Sequence, residues 1–192
     1  MSTKNIMIVG VGGQGTLLAS KLLGYVLLNQ GYDVKVSEVH GMSQRGGSVV
    51  TYVRFGEKVY SPVIDKGEAD YIVSFEKLEA ARWIEFLKTG GTIITNTQEV
   101  EPMPVITGAM EYPQELIEKM QAAGANVDAK DFLAVANEAG SSKAVNIALM
   151  GRLSKYFEDI DDAVWQKAIE KNVPAKFLEL NKKAFELGRD IQ

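Results

Sequence analysis

An α/β fold, three layers in the order α/β/α with a mostly parallel, mixed sheet and a helical C-terminal third, is what these 192 residues predict. Three observations carry that expectation. The chain opens with an apolar run, Ile6 to Val9, that passes into Gly10-Val11-Gly12-Gly13-Gln14-Gly15 and then into a helix-like stretch, Thr16 to Leu28. Strand-like and helix-like segments alternate through about the first 140 positions, the order that builds parallel sheets. From Ser142 onward the apolar residues recur at helical spacing, first Val145, Leu149 and Leu153, later Phe177, Leu180, Ala184 and Leu187.

The opening segment reads as strand, glycine turn and helix. In its G-x-G-x-x-G spacing Gly10 permits a tight reversal, Gly12 lets a ligand or another backbone come close, and Gly15 lets the helix pack against the strand. The helix N-terminus presents unpaired N–H groups and a partial positive charge, which suit a phosphate or carboxylate. Glycine turns that hold no ligand are common, so the spacing alone leaves both readings open.

After a turn at Tyr32-Asp33, Val34 to Val39 alternates as a second strand. A strand–helix–strand unit of this length predicts a parallel pair with a right-handed crossover. Ser48 to Phe55 is β-branched and aromatic, and Gly56-Glu57-Lys58 is expected to turn it so that Val59-Tyr60 returns beside it as a hairpin. Asp70 to Phe75 gives a buried strand, Glu76 to Leu87 a helix and, after Gly90-Gly91, Thr92 to Thr95 a further strand. Pro102, Pro104 and Pro113 punctuate a stretch with a brief Val105-Ile106 segment, a helix from about Gln114 to Ala123 and a last short strand from Ala125 to Ala129. Ile160 to Glu170 lies between the later helical runs. With no long linker, repeat or low-complexity tract, the expectation is one domain over 1–192, its α/β part reaching about 140 and its helical part covering about 141–192.

Composition narrows the chemistry. A net charge of −4 gives no basic footprint for nucleic acid. The absence of cysteine removes disulfides and the thiolates that iron–sulfur clusters need. With one histidine, His40, neither a His-rich zinc site nor a serine–histidine triad with histidine to spare can be assembled, and no metal site is expected. The first apolar run is too short for a signal segment or a membrane span, so the expectation is a soluble, cytoplasmic protein with no membrane partner.

A second motif follows the second strand: His40-Gly41-Met42-Ser43-Gln44-Arg45-Gly46-Gly47. If the first two strands are parallel, this loop and the Gly10–Gly15 turn leave the same carboxyl edge, where open α/β sheets bind ligands. The loops at Ser74-Phe75-Glu76 and Asn96-Thr97 would leave that side too. Arg45 can offer a planar fork to a carboxylate, a phosphate or an acidic partner side chain, while Gly46 and Gly47 free the backbone to approach it. The structural alternative pairs Arg45 with Glu38. His40 is either an acid or base near neutral pH or a hydrogen-bonded structural residue. Together Gly10, Gly12, Gly13, Gln14, Gly15, His40, Ser43, Gln44, Arg45, Gly46 and Gly47 form the candidate ligand-binding or interface set. No catalytic residue is singled out.

Glu38 stands 23 residues after Gly15, about where a dinucleotide-binding domain places its ribose-binding acid. That makes an NAD(P)- or FAD-binding enzyme one rival, and a non-catalytic interaction module another. Against the first, the chain runs from this loop into a β-like segment instead of the next helix.

Gly10–Gly15, the string Ser37-Glu38-Val39-His40-Gly41-Met42-Ser43-Gln44-Arg45-Gly46-Gly47-Ser48-Val49, Ser61-Pro62 and Gly67-Glu68-Ala69-Asp70 together resemble the gamma-type domain of 2-oxoacid:ferredoxin oxidoreductases. Within that family the indolepyruvate:ferredoxin oxidoreductase beta-subunit branch is the nearest. The segments Phe75–Ala80, Thr95-Asn96-Thr97, Ala144–Gly151 and Asn181–Gly188 extend the likeness over nearly the whole chain. The resemblance implies a small subunit, inactive alone, of an enzyme that decarboxylates a 2-oxoacid on thiamine diphosphate, passes electrons through iron–sulfur clusters to ferredoxin and transfers the acyl group to coenzyme A. It implies that no cofactor is bound by this chain alone and that a large thiamine- and cluster-bearing subunit is the partner, with ferredoxin reached through the complex. A homodimer of the isolated chain stays open. Indolepyruvate or another aryl pyruvate is the leading substrate, with pyruvate, branched-chain oxoacids and 2-oxoglutarate open.

Overall fold

The computed structural model describes residues 3–39 and 47–192. Strands β1 (Lys4–Val11), β2 (Asp33–Val39), β3 (Ser48–Gly56), β4 (Ala69–Ser74), β5 (Leu87–Asn96) and β6 (Asn126–Lys130) form one mixed sheet in the order β2-β3-β1-β4-β5-β6. β1, β4, β5 and β6 run parallel, and β3 is antiparallel to both neighbours. Along β1 the side chains alternate between two cores, as a strand covered on both faces requires. Ile6 and Ile8 pack on one side with α1 (Thr16–Asn29), α5 (Phe132–Ala139), α6 (Val145–Ser154), α7 (Asp162–Asn172) and α8 (Leu178–Asp190). Met7 and Val9 pack on the other with α2 (Lys77–Arg82) and α4 (Leu116–Ala122). The expected α/β/α layering and helical final third are what the structure has.

Two strand expectations need correction. β1 and β2 do point the same way, but they are not neighbours, because β3 inserts between them. The hairpin is β2–β3, in register from Asp33↔Gly56 to Val39↔Val50, and β1 takes the other edge of β3 from Lys4↔Phe55 to Val11↔Ser48. With both edges of β3 occupied, Val59-Tyr60 has no strand to return beside. The Val59 N–H instead donates to the Asp33 carboxylate at 2.9 Å, and Tyr60 is 88% exposed.

The remaining differences have local causes. The expected helix from Glu76 to Leu87 stops as α2 at Arg82 and passes through a 3-10 turn, Ile84–Phe86, because Leu87 is drawn into β5 opposite Ala69. The Val105-Ile106 segment lies in a one-turn helix, α3 (Met103–Ile106). α5 falls outside the expected elements, yet its ends are marked: the Asp131 carboxylate accepts the Ala134 N–H at 2.8 Å, and Gly140 ends the helix at φ 118°.

The helices of the final third are fastened to one another and, through Arg152, to the sheet. Gly151 and Gly188 let the backbones of α6 and α8 touch, since a Cβ on either would fall on the carbonyl oxygen of Phe185 or Ala148. Arg152 of α6 grips the Asp128 carboxylate of β6 through two nitrogens, at 2.5 and 3.1 Å, and its third nitrogen donates to the Ile191 carbonyl at 3.0 Å. Among the described residues no helix is long and apolar enough to cross a membrane.

Candidate functional site

Strand directions bring the ends of β1, β2, β4, β5 and β6 to one edge of the sheet, so Val11, Val39, Ser74 and Asn96 stand on a shared rim. β3 enters from the same rim at Ser48, beside Val11. The stems of the two motifs are joined directly: the Gly12 N–H donates to the Gly47 carbonyl at 2.9 Å. His40, Ser43, Gln44, Arg45 and Gly46 lie outside the described residues, as does the alternative Arg45–Glu38 pairing.

Each residue of the glycine turn has a definable task. Gly10 is buried near the end of β1, and a Cβ there would stand 2.7 Å from the Gln14 amide oxygen and 3.0 Å from Phe75 Cβ. That oxygen accepts the Val11 N–H at 2.7 Å, so Gln14 braces the turn from inside instead of reaching outward. Gly13 is exposed at φ 99°, and Gly15 caps α1 at φ 87°, a left-handed conformation that glycine adopts without strain. The expectation that Gly15 serves packing of helix on strand is corrected. The side chain it admits is Asn146 of α6, whose Nδ2 would be 2.6 Å from a Cβ at this position and donates to the Gly15 carbonyl at 3.3 Å.

With the Gly12 N–H committed to Gly47, the N–H groups of Gly13, Gly15, Thr16 and Leu17 find no acceptor among the described residues. Gly13 and Gly15 border a cavity of about 510 Å³ with an apolar floor of Phe75, Leu133 and Val145 and a polar wall of Gln98, Lys143 and Asn146, whereas Thr16 and Leu17 line the neighbouring cleft across the turn. The exposed Lys143 ammonium has no acidic partner among the described residues. Helix N-terminal donors and an ammonium facing one space suit an anion, with the floor accommodating an apolar group attached to it. Gln98, Lys143 and Asn146 escape the sequence reading because they come from loops and a helix far along the chain. A second, shallower cleft of about 390 Å³ lies across the turn, between Gly12–Leu17 and Glu38 of β2.

Two buried carboxylates stand under the same rim. Glu76 caps α2 by accepting the Glu79 N–H at 2.9 Å with one oxygen. Its other oxygen, Oε1, accepts the Val100 N–H at 3.3 Å and the Tyr112 hydroxyl. Burial, followed by the hydrogen bond to Glu76, pushes the Tyr112 phenol well above its ordinary range, so it stays a donor. Glu79 accepts the Ser48 hydroxyl and pairs with Arg82 Nε at 3.2 Å. Burial raises its pKa against the opposing pull of Ser48 and Arg82. Among the described residues no group of three or more histidine, aspartate or glutamate side chains is arranged to hold a metal ion.

The sequence matches the profile of a family described as pyruvate ferredoxin/flavodoxin oxidoreductase over residues 5–191. It is 44% identical over 195 residues to a protein of Thermococcus kodakarensis named indolepyruvate oxidoreductase subunit IorB, covering 98% of this chain and 95% of that one. The fold superimposes with a TM-score of 0.72 on the gamma subunit of a keto/oxoacid ferredoxin oxidoreductase from Geobacter sulfurreducens, at 22% identity over 97% of this chain and 96% of that chain. It also matches part of 2-oxoglutarate:ferredoxin oxidoreductase from Magnetococcus marinus, solved with 2-oxoglutarate, coenzyme A and succinyl-CoA bound. There the TM-score is 0.75 at 18% identity, over 98% of this chain and 31% of that one.

Proposed function

The chain belongs to the pyruvate ferredoxin/flavodoxin oxidoreductase family, and on that premise we propose how it serves as the small subunit of a 2-oxoacid:ferredoxin oxidoreductase. Its 2-oxoacid is indolepyruvate or another aryl pyruvate, a reading supported by 44% identity sustained over the length of a relative with that name. Residues 1–192 act as one unit in the cytoplasm. The chain has no cysteine to ligate a cluster, and thiamine diphosphate and the iron–sulfur centres reside on a larger partner chain that delivers electrons to ferredoxin.

The observation that carries the role of this chain is the pair of open N–H groups at Gly13 and Gly15 in one cavity with Lys143, with those of Thr16 and Leu17 beside them at the start of α1. Coenzyme A fits that donor set: its phosphates need several N–H donors and a cation, and the rim offers both. When bound it supplies the thiol that accepts the acyl group. The chain's own part is to hold the phosphates at α1 and to orient the carrier along the rim; His40, Ser43, Gln44, Arg45, Gly46 and Gly47 are assigned to binding the same ligand or the partner chain. The antiparallel β3 between β1 and β2 departs from the adjacent parallel strands of a dinucleotide-binding domain, which weighs against the NAD(P) or FAD reading.

The experiment is coexpression with the presumed large chain and measurement of ferredoxin reduction dependent on coenzyme A, with indolepyruvate, pyruvate, a branched-chain oxoacid and 2-oxoglutarate compared. A preference for the aryl substrate and a raised KM for coenzyme A in Arg45→Ala support the proposal. Unchanged assembly and unchanged kinetics for both substrates in Arg45→Ala would remove that residue's role. Rim substitutions that disturb assembly while leaving catalysis per complex intact would favour the interaction-module reading.

A further inference from the structure

The segment from Val100 to Tyr112 leaves the rim after β5 and returns to it, and both ends are fixed to one atom. Glu76 Oε1 accepts the Val100 N–H at the departing end and the Tyr112 hydroxyl at the returning end. Glu76 is 1% exposed, so the anchor sits inside the protein. Between these points the backbone bonds to itself. Val105 and Ile106 donate to the Pro102 carbonyl at 2.9 and 3.1 Å, Thr107 to Met103 at 2.9 Å, and Met110 to Pro104 at 3.0 Å. Pro102 and Pro104 restrict the chain further.

This well-tied excursion turns its large apolar side chains outward. Met103, Ile106 and Met110 are 66%, 60% and 63% exposed. A loop that is both pre-ordered and apolar on its outer side does not contribute to the core of its own chain. Such patches on a soluble domain mark contact with another surface, and methionine side chains adapt to an irregular recess. Glu101 and Glu111 flank the patch, exposed and without a cationic partner among the described residues, whereas neighbouring Glu99 pairs with Lys77 at 2.5 Å.

Taking the chain as a subunit, as proposed above, we infer that residues 100–112 are a docking knob for the cofactor-bearing partner chain, inserting Met103, Ile106 and Met110 into an apolar recess rimmed by lysine or arginine. Two features select this occupant. The knob stands on the same edge of the sheet as the open N–H groups, so a partner completing that rim reaches it in the same contact. The two unpaired carboxylates call for basic complements at the border of the recess. Glu76 is the positioning residue: it holds the knob at its base and pre-organises it, so little ordering cost remains on association.

The test uses the purified chain and its large partner chain, with association measured by biolayer interferometry and melting followed by circular dichroism. The combined variant Met103→Ser, Ile106→Ser, Met110→Ser, altered only at exposed positions, is expected to bind about tenfold or more weakly with an unchanged melting temperature. Glu101→Lys with Glu111→Lys should slow association, most at low salt. Leu28→Ser, at the exposed apolar face of α1, should leave binding unchanged. Wild-type binding with an equally tight triple variant, or loss confined to Leu28→Ser, overturns the docking inference alone. Failure of the wild-type chain to associate at all overturns the subunit proposal and the knob with it.

Discussion

Gly15 and Asn146 meet across 131 positions of sequence: the Asn146 amide donates to the Gly15 carbonyl at 3.3 Å, and a Cβ on Gly15 would stand 2.6 Å from the same nitrogen. The first glycine turn is thus sutured to the helical third, and the mouth of the rim cavity is set by both. Gly15→Ala places a side chain at φ 87°, a cost of about 1–2 kcal/mol. It also drives Asn146, itself 4% exposed, out of its hydrogen bond. The expected result is a lowered melting temperature together with a raised KM for coenzyme A in the assembled enzyme. Gly13→Ala, with nothing near its Cβ, should show the backbone cost without the Asn146 component.

Two helical glycines should respond to the same substitution with opposite sign. Gly151→Ala forces a methyl group onto the Phe185 carbonyl where α6 crosses α8, and the loss of stability should reach or exceed the upper end of the roughly 1–3 kcal/mol typical of overpacking. Gly24→Ala in α1 meets open space within 4 Å and should stabilise the chain by about 1 kcal/mol. Denaturant unfolding of the two variants beside the parent chain checks both signs.

Glu79 predicts a pH effect. Its carboxyl is raised above the ordinary 4.5, first by burial, so the folded state holds this proton more tightly than the unfolded state. Folding then takes up protons between 4.5 and the raised value, and stability falls as pH rises through that window. Glu79→Gln removes the titration. Relative to the parent chain, the variant should gain stability as pH is raised from about 4.5 through the window. A constant difference between the two at every pH would contradict this.

Among the described residues, Lys143 supplies the one side-chain cation on the wall of the rim cavity. Lys143→Ala should raise the KM for coenzyme A in the assembled enzyme about tenfold, the worth of a charged hydrogen bond. The KM for the 2-oxoacid and the melting temperature should stay unchanged. An equal rise in both KM values would place Lys143 outside phosphate binding.

How far these features can be read from the sequence depends on how local they are. The turn at Gly10–Gly15 and the helix from Thr16 are written in consecutive residues, and the structure follows them closely. The shared rim is legible because strand direction follows from connection type. Strand neighbours are less so: β3 chooses β2 and β1 as partners through pairing across the sheet, which no short window around Val59 encodes. α5 could have been found from Asp131 and Gly140. Asn146 could not have been assigned its contact with Gly15, since that depends on how segments 131 positions apart close.

The central claim is that the open amides at the start of α1 receive an anionic group when the enzyme is assembled. Hydrogen–deuterium exchange on the complex, with and without coenzyme A, reads those amides directly. The account predicts slowed exchange at Gly13, Gly15, Thr16 and Leu17, together with the segment around Lys143 and Asn146. Unchanged exchange at both places, in a complex that binds coenzyme A and turns over, would contradict it.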